Sequence, residues 1–252
     1  MRYARARVGN EEFYTRIEGE TLVRLLDKPF DGDKPEGRTY KLSEAKLLAP
    51  CEPTKVLCVG KNYWAHAEEM KEGHPEEPLL FLKPSTCVIG PGDEVVYPSL
   101  SHRLDYEGEL GVVIGKRAHN VASGTAKDYI FGYTCLNDVT ARDIQKGDPQ
   151  WTRGKGYDTF CPIGPWIETE LDAGNLHIQT RLNGEKKQDS TTALMTHDID
   201  KLICYMTTCM TLLPGDVVAT GTPEGIGPMQ RGDTVEVEIE GIGVLTNRIA
   251  AE

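Results

Sequence analysis

Short runs of β-branched and aromatic residues, each closed by glycine, proline or a charged turn, dominate this chain from Lys55 onward and set its fold class. Lys55-Val56-Leu57-Cys58-Val59-Gly60, Leu79-Leu80-Phe81-Leu82, Leu110-Gly111-Val112-Val113-Ile114, Tyr129-Ile130-Phe131-Gly132-Tyr133, Val217-Val218-Ala219 and Thr234-Val235-Glu236-Val237-Glu238-Ile239 read as strands. Asn183-Gly184, a dipeptide suited to positive φ, and Glu240-Gly241 predict two hairpin turns. One helix is well signalled. Behind Asp198, apolar side chains at Ile199, Leu202, Ile203, Met206, Met210 and Leu213 recur at helical spacing until Pro214-Gly215 ends the run. Shorter helical turns are expected at Ala65 to Met70 and Thr140 to Gln145. The pattern predicts an α+β, β-rich fold on a curled mixed sheet rather than an alternating βαβ array.

The segment before Lys55 alternates apolar and charged positions, as in Thr21-Leu22-Val23-Arg24-Leu25-Leu26, with turns expected at Asp31-Gly32-Asp33 and Pro35-Glu36-Gly37. It is expected to form a small N-terminal β-rich domain over residues 1–52, ahead of a main domain over 53–252. At 252 residues and 39% hydrophobic content the chain can bury one substantial core. Its 28 basic and 39 acidic residues give a net charge of -11, which repels nucleic-acid phosphates and offers no basic surface to anionic membranes. With no bilayer-length apolar stretch and no signal-type segment behind Met1, a soluble cytoplasmic protein is expected. Seven cysteines without a Cys-x-x-Cys pair predict buried, reduced thiols rather than a disulfide framework or zinc ribbon.

Chemistry-bearing residues cluster in a few places. Glu107-Gly108-Glu109 precedes a fully apolar strand, and on an extended chain both carboxylates project to one face. Adjacent carboxylates repel unless a cation lies between them, although a solvated strand edge would also carry such a pair. Asp138 closes another apolar strand and is either a third ligand or the N-cap of the turn at Thr140. Three carboxylates without cysteine or histidine make a hard oxygen site suited to Mg²⁺ or Mn²⁺, with Ca²⁺ a further option. On a helical turn, His66 and Glu69 share a face as a base with its orienting carboxylate, or as a surface ion pair. Lys71-Glu72-Gly73-His74-Pro75-Glu76-Glu77-Pro78 reads as a mobile loop. Gly221-Thr222-Pro223-Glu224-Gly225 is either an anion-facing loop or an ordinary tight turn.

Taken in order, Val59-Gly60-Lys61-Asn62-Tyr63, Phe81-Leu82-Lys83-Pro84-Ser85, Asp105-Tyr106-Glu107-Gly108-Glu109-Leu110, Asn137-Asp138-Val139-Thr140-Ala141-Arg142-Asp143 and Thr220-Gly221-Thr222-Pro223-Glu224-Gly225 resemble the fumarylacetoacetate hydrolase family. The likeness runs from about Lys55 to the C-terminus. It is greatest to the branch with acylpyruvate hydrolase, oxaloacetate decarboxylase, fumarylpyruvate hydrolase and the isomerase/decarboxylase of homoprotocatechuate breakdown. The resemblance implies a mixed β-roll, a homodimer, and a metal on Glu107, Glu109 and Asp138. It further implies that His66 and Glu69 match a lid dyad that handles water. Lys83, Arg142, Gln145 and Thr222 match residues around the substrate, as does Lys155, which is counted with the catalytic groups.

The expected activity is metal-assisted cleavage of a C–C bond in a small 2-oxo acid, by hydrolysis of a 2,4-dioxo acid or decarboxylation of oxaloacetate. The alternative is isomerisation of a 2-hydroxyhepta-2,4-diene-1,7-dioate, in which the same enolate is reprotonated at another carbon. A metal-dependent binder without catalysis is the third expectation, and the intact His66/Glu69 pair weighs against it.

Overall fold

The strand Gly108–Ile114 is buried along its whole length, with Leu110, Val112 and Ile114 on one face and Gly111 and Val113 on the other. It pairs antiparallel with Ile130–Asn137 and with Val217–Ala219, and these three strands form the centre of the molecule. The computed structural model describes residues 1–70, 73 and 75–251. Among them, twelve strands form one mixed sheet that runs from Pro35–Lys41 at one edge to Leu79–Pro84 at the other. A five-stranded sheet containing His177–Leu182, Thr234–Ile239 and Gly243–Ala251 packs on the central strands through Leu110, Cys135, Ile178, Val237 and Leu245. The result is the α+β, β-rich roll expected from the strand pattern. Both hairpin turns form where expected: Asn183 and Gly184 take φ of 53° and 80°, and Gly241 takes 78°.

The N-terminal strands Arg2–Val8, Glu11–Glu18 and Thr21–Leu25 join the large sheet through Arg2↔Glu168 and Tyr3↔Ile167. The turn expected at Pro35-Glu36-Gly37 is instead the start of the edge strand Pro35–Lys41, with Pro35 opposite Leu25. At an edge, a residue without an N–H costs the sheet little. The chain reverses earlier, at the 3₁₀ turn Pro29–Asp31, where Gly32 has φ +106°.

Four α-helices are present among the described residues: α1 (Trp64–Glu69), α2 (Arg142–Gly147), α3 (Thr152–Lys155) and α4 (Ile199–Cys209). The polar loop expected over Lys71 to Pro78 lies partly outside the described residues, which omit Lys71, Glu72 and His74. Helix α2 begins later than expected, because Thr140 and Ala141 pair as a short strand with Asp105 and Leu104. Helix α4 begins as expected, its Asp198 carboxylate accepting from the Lys201 N–H at 2.8 Å. It ends at Cys209 rather than Leu213. Met210 turns extended, and Leu212 and Ala118 exchange two backbone hydrogen bonds of 2.9 Å. Leu202, Ile203 and Met206 of α4 are buried against Leu57, Val112, Ile114 and Val218 of the same chain. That apolar face is covered internally.

All seven cysteines are free; five are buried as expected, whereas Cys204 is half-buried and Cys209 exposed. Both exceptions lie on α4, Cys204 at the margin of its apolar face and Cys209 at its end. No helix among the described residues is long and apolar enough to cross a membrane.

Candidate active site

The register of the two central strands assembles the acidic cluster. Gly108 pairs with Asn137, so Glu107 at the start of one antiparallel strand stands opposite Asp138 just past the end of the other. The Asp138 N–H donates to the Glu107 carbonyl at 2.8 Å, which fixes that pairing. Glu109, two residues after Glu107, projects to the same side. Ligand oxygens of Glu107, Glu109 and Asp138 lie within 4.8 Å of one another, and all three residues are buried. Asp138 does not cap the following helix: the N-cap of α2 is Ala141, without a side-chain cap.

Three cations converge on this cluster. Lys155 of α3 donates to Glu107 Oε2 at 2.7 Å and to Asp138 Oδ2 at 2.6 Å, with its ammonium 5.0 Å from the Phe81 ring centroid. Arg142 of α2 donates to Glu107 Oε1, and to Gln145 Oε1 at 3.2 Å. Lys83 donates to Asp138 Oδ1 and to the Val139 carbonyl. An acidic chain thus concentrates positive charge at one internal point.

The carboxylates divide electrostatically. Burial alone would raise Glu107, but Lys155 and Arg142 outweigh it and hold its carboxyl well below the ordinary range. Glu109 moves the opposite way, pushed well above that range by burial and then by the Asp138 and Glu107 charges. Its carboxylate accepts from the Gly221 N–H at 2.8 Å and has no bonded side-chain cation among the described residues. Its charge is under-compensated, as a position completed by a divalent cation would be, and the oxygen-only donor set suits a hard ion.

Helix α1 brings His66 to the cleft over this cluster, with Phe81 and Trp151 as apolar wall and Gln145 and Thr222 at its lining. His66 Nδ1 lies 3.3 Å from Glu69 Oε2, so the i, i+3 pair forms. Glu69 also accepts from the Gly225 N–H at 3.2 Å, which ties α1 to the Gly221–Gly225 segment. Lys83, expected around the substrate, is fully buried and is not among the residues lining the cleft; it donates to Asp138 and the Val139 carbonyl, with its ammonium 6.0 Å from the Phe160 ring centroid.

Three contributors went unread in the sequence. Asp105 is fully buried and accepts from Arg142 Nε at 2.8 Å and from Arg103 Nε at 2.9 Å, orienting the arginine that reaches Glu107. Its position two residues before Glu107, on the same face of an extended chain, is the signal that could have found it. Trp151 and Gln188 come from segments without a readable motif.

A family model described as fumarylacetoacetate (FAA) hydrolase C-terminal matches residues 55–250, and one described as Rv2993c-like, N-terminal matches residues 1–50. The chain belongs to the fumarylacetoacetate hydrolase family and is a metal-dependent enzyme. It is 45% identical over 259 residues to Protein Rv2993c of Mycobacterium tuberculosis, covering 99% of this chain and 98% of that protein. It is 41% identical over 220 residues to the mitochondrial oxaloacetate tautomerase FAHD2A of Bos taurus, covering 82% of this chain and 70% of that one. The crystal structure of 2-hydroxyhepta-2,4-diene-1,7-dioate isomerase from Mycobacterium marinum matches with a TM-score of 0.94 at 43% identity, covering 100% of this chain and 99% of that chain. With the carboxylate cluster intact, this kinship sets aside the non-catalytic binder.

Proposed function

We propose that this enzyme moves a proton within a small 2-oxo acid, interconverting keto and enol or isomeric 2-hydroxy-diene forms at the Glu107, Glu109 and Asp138 centre. The observation that carries the reading is one cleft lined by three buried carboxylates and by a histidine in contact with its own carboxylate partner. The isomerase and tautomerase among the similar proteins favour this alternative over C–C cleavage, the first expectation. A divalent cation, Mg²⁺ or Mn²⁺, supplies Lewis-acid stabilisation of negative charge developing on a carbonyl oxygen.

The chain's own groups divide the remaining work. Glu107, Glu109 and Asp138 hold the cation, while Lys155 and Arg142 keep Glu107 ionised. Lys155 also provides positive charge at the floor of the cleft for a substrate anion. His66 takes and returns the carbon-bound proton, and Glu69 holds the imidazole by Nδ1. Arg142, Gln145 and Thr222 orient the substrate from the lining, and Lys83 steadies Asp138 from behind. The proposal includes residues 1–52 as a small N-terminal domain, on the alternating strand pattern, and a homodimer, on the family resemblance.

Incubating the purified protein with Mg²⁺ or Mn²⁺ and oxaloacetate, a 2-hydroxy-diene dioate or an acylpyruvate tests the reading. Loss or gain of enol absorbance without release of CO₂ or of a cleaved acid is the expected result. Stoichiometric cleavage products would return the assignment to a hydrolase or decarboxylase.

A further inference from the structure

Gln188 lies on the strand Glu185–Thr191 of the five-stranded sheet, and in that polar segment it is the residue turned fully inward. Its cross-strand neighbour is Thr180, also fully buried. Together they grip Gly108, the residue between the two glutamates of the cluster. The Gly108 N–H donates to Gln188 Oε1 at 3.0 Å, and a Cβ at Gly108 would lie 2.1 Å from Thr180 Oγ1. Gln188 Nε2 donates to the Pro223 carbonyl and to Thr222 Oγ1, both at 2.8 Å, and Thr222 Oγ1 donates to the Gly108 carbonyl at 2.9 Å.

This closed ring fixes every hydrogen. The amide orientation of Gln188 is set at both ends, because an N–H must face its oxygen and a carbonyl must face its nitrogen. The Thr222 hydroxyl has one proton, and the Gly108 carbonyl can only accept it. One lone pair of that hydroxyl is occupied by the Gln188 amide, so the other is all that it can offer to a ligand in the cleft.

We propose that Gln188 is a positioning residue for the active site. It locks the peptide that spaces Glu107 from Glu109, and it turns the Thr222 hydroxyl so that a ligand meets it as a hydrogen-bond acceptor. The complementary ligand group is a donor, such as the hydroxyl of an enol or a 2-hydroxy-diene, rather than a carboxylate. The inference rests on the proton-transfer reading above and gives it a preference for the enol form at the group reaching Thr222.

The test compares wild type with Gln188→Met, Thr222→Val and the double variant, reading thermal unfolding, Mg²⁺ affinity by calorimetry without substrate, and kcat and KM separately. Gln188→Met is expected to unfold cooperatively and to bind Mg²⁺ about 10–100-fold more weakly, the usual effect of losing a partner that orients ligands. At saturating Mg²⁺, where the weakened metal binding is made good, the double variant should lose no more turnover than the worse single variant, because what remains of both changes acts through one hydroxyl. Should Gln188→Met fail to fold, Gln188→Glu carries the test: it keeps an acceptor for Gly108, loses the donor to Thr222, and should lose turnover more than Mg²⁺ affinity. Wild-type Mg²⁺ affinity in a folded Gln188→Met variant, or additive losses in the double variant, overturns the proposal. Wild-type protein that takes up no Mg²⁺ overturns instead the metal reading on which it rests.

Discussion

The Lys155 ammonium donates to the Glu107 carboxylate at 2.7 Å, and the same nitrogen reaches Asp138 at 2.6 Å. One lysine on a four-residue helix therefore bridges two of the three carboxylates that the central strands bring together. A buried cation in that position competes with a metal for the same negative charge while remaining available to a substrate anion.

Replacing Lys155 with methionine should therefore separate binding from turnover. Mg²⁺ affinity is expected to rise, because the ammonium no longer competes for Glu107 and Asp138. Turnover is expected to fall by at least about a hundredfold. Parallel losses of both would mean that Lys155 serves mainly to hold the carboxylates in place.

Glu109→Gln should reverse the order of stability between the metal-free and metal-loaded protein. In chelator, the variant replaces a carboxyl whose ionised form is disfavoured by burial with a neutral amide, and Tm should rise by about 2–4 °C for each kcal/mol relieved. In saturating Mg²⁺ the wild type should be the more stable, because the variant binds the ion more than about a hundredfold less tightly, beyond the loss typical of an outer partner. Melting curves of both proteins with and without Mg²⁺ decide it, and a variant that melts lower in chelator contradicts it.

Gly108→Ala tests how tightly the cluster is built. The added Cβ would meet Thr180 Oγ1 at 2.1 Å inside a buried strand contact. A destabilisation of about 1–3 kcal/mol in urea unfolding is expected, together with weakened Mg²⁺ binding. Unchanged stability would show that the two sheets can separate locally at little cost.

His66→Ala should leave Mg²⁺ affinity near wild type, since the side-chain bond of His66 is to Glu69 and His66 is not one of the three clustered carboxylates. Turnover should fall by about 10²–10⁴-fold, the usual contribution of a positioned acid–base group. Isotope exchange from solvent deuterium into substrate should fall with it; exchange at the wild-type rate would remove His66 from proton transfer.

Strand periodicity makes one part of the site legible in the amino-acid sequence. Residues two apart share a face, so Glu107 and Glu109 pair on that ground alone, and Asp138 marks itself as an acid closing an apolar strand. Gln188 cannot be found that way. It is polar among Glu185, Lys186, Lys187 and Asp189, and only the packing of the second sheet turns it inward. The helical period of α4 is legible through Met206, but its end is not, because Met210 leaves the helix when Leu212 pairs with Ala118, a partner far away in sequence. Pro35 misleads for a local reason: proline signals a turn, yet an edge strand accepts it. The motif around Lys83 does not tell which way its side chain faces: it donates to Asp138 and is absent from the cleft lining.

Metal dependence of the proton transfer tests the central assignment most directly. The protein is stripped with chelator, its residual metal measured, and oxaloacetate enol–keto interconversion and 2-hydroxy-diene isomerisation followed before and after Mg²⁺ or Mn²⁺ is restored. The expected result is loss of activity on stripping and its return with either ion in wild type, with little return in Glu109→Gln. Full activity in thoroughly stripped protein would contradict a metal centre at Glu107, Glu109 and Asp138.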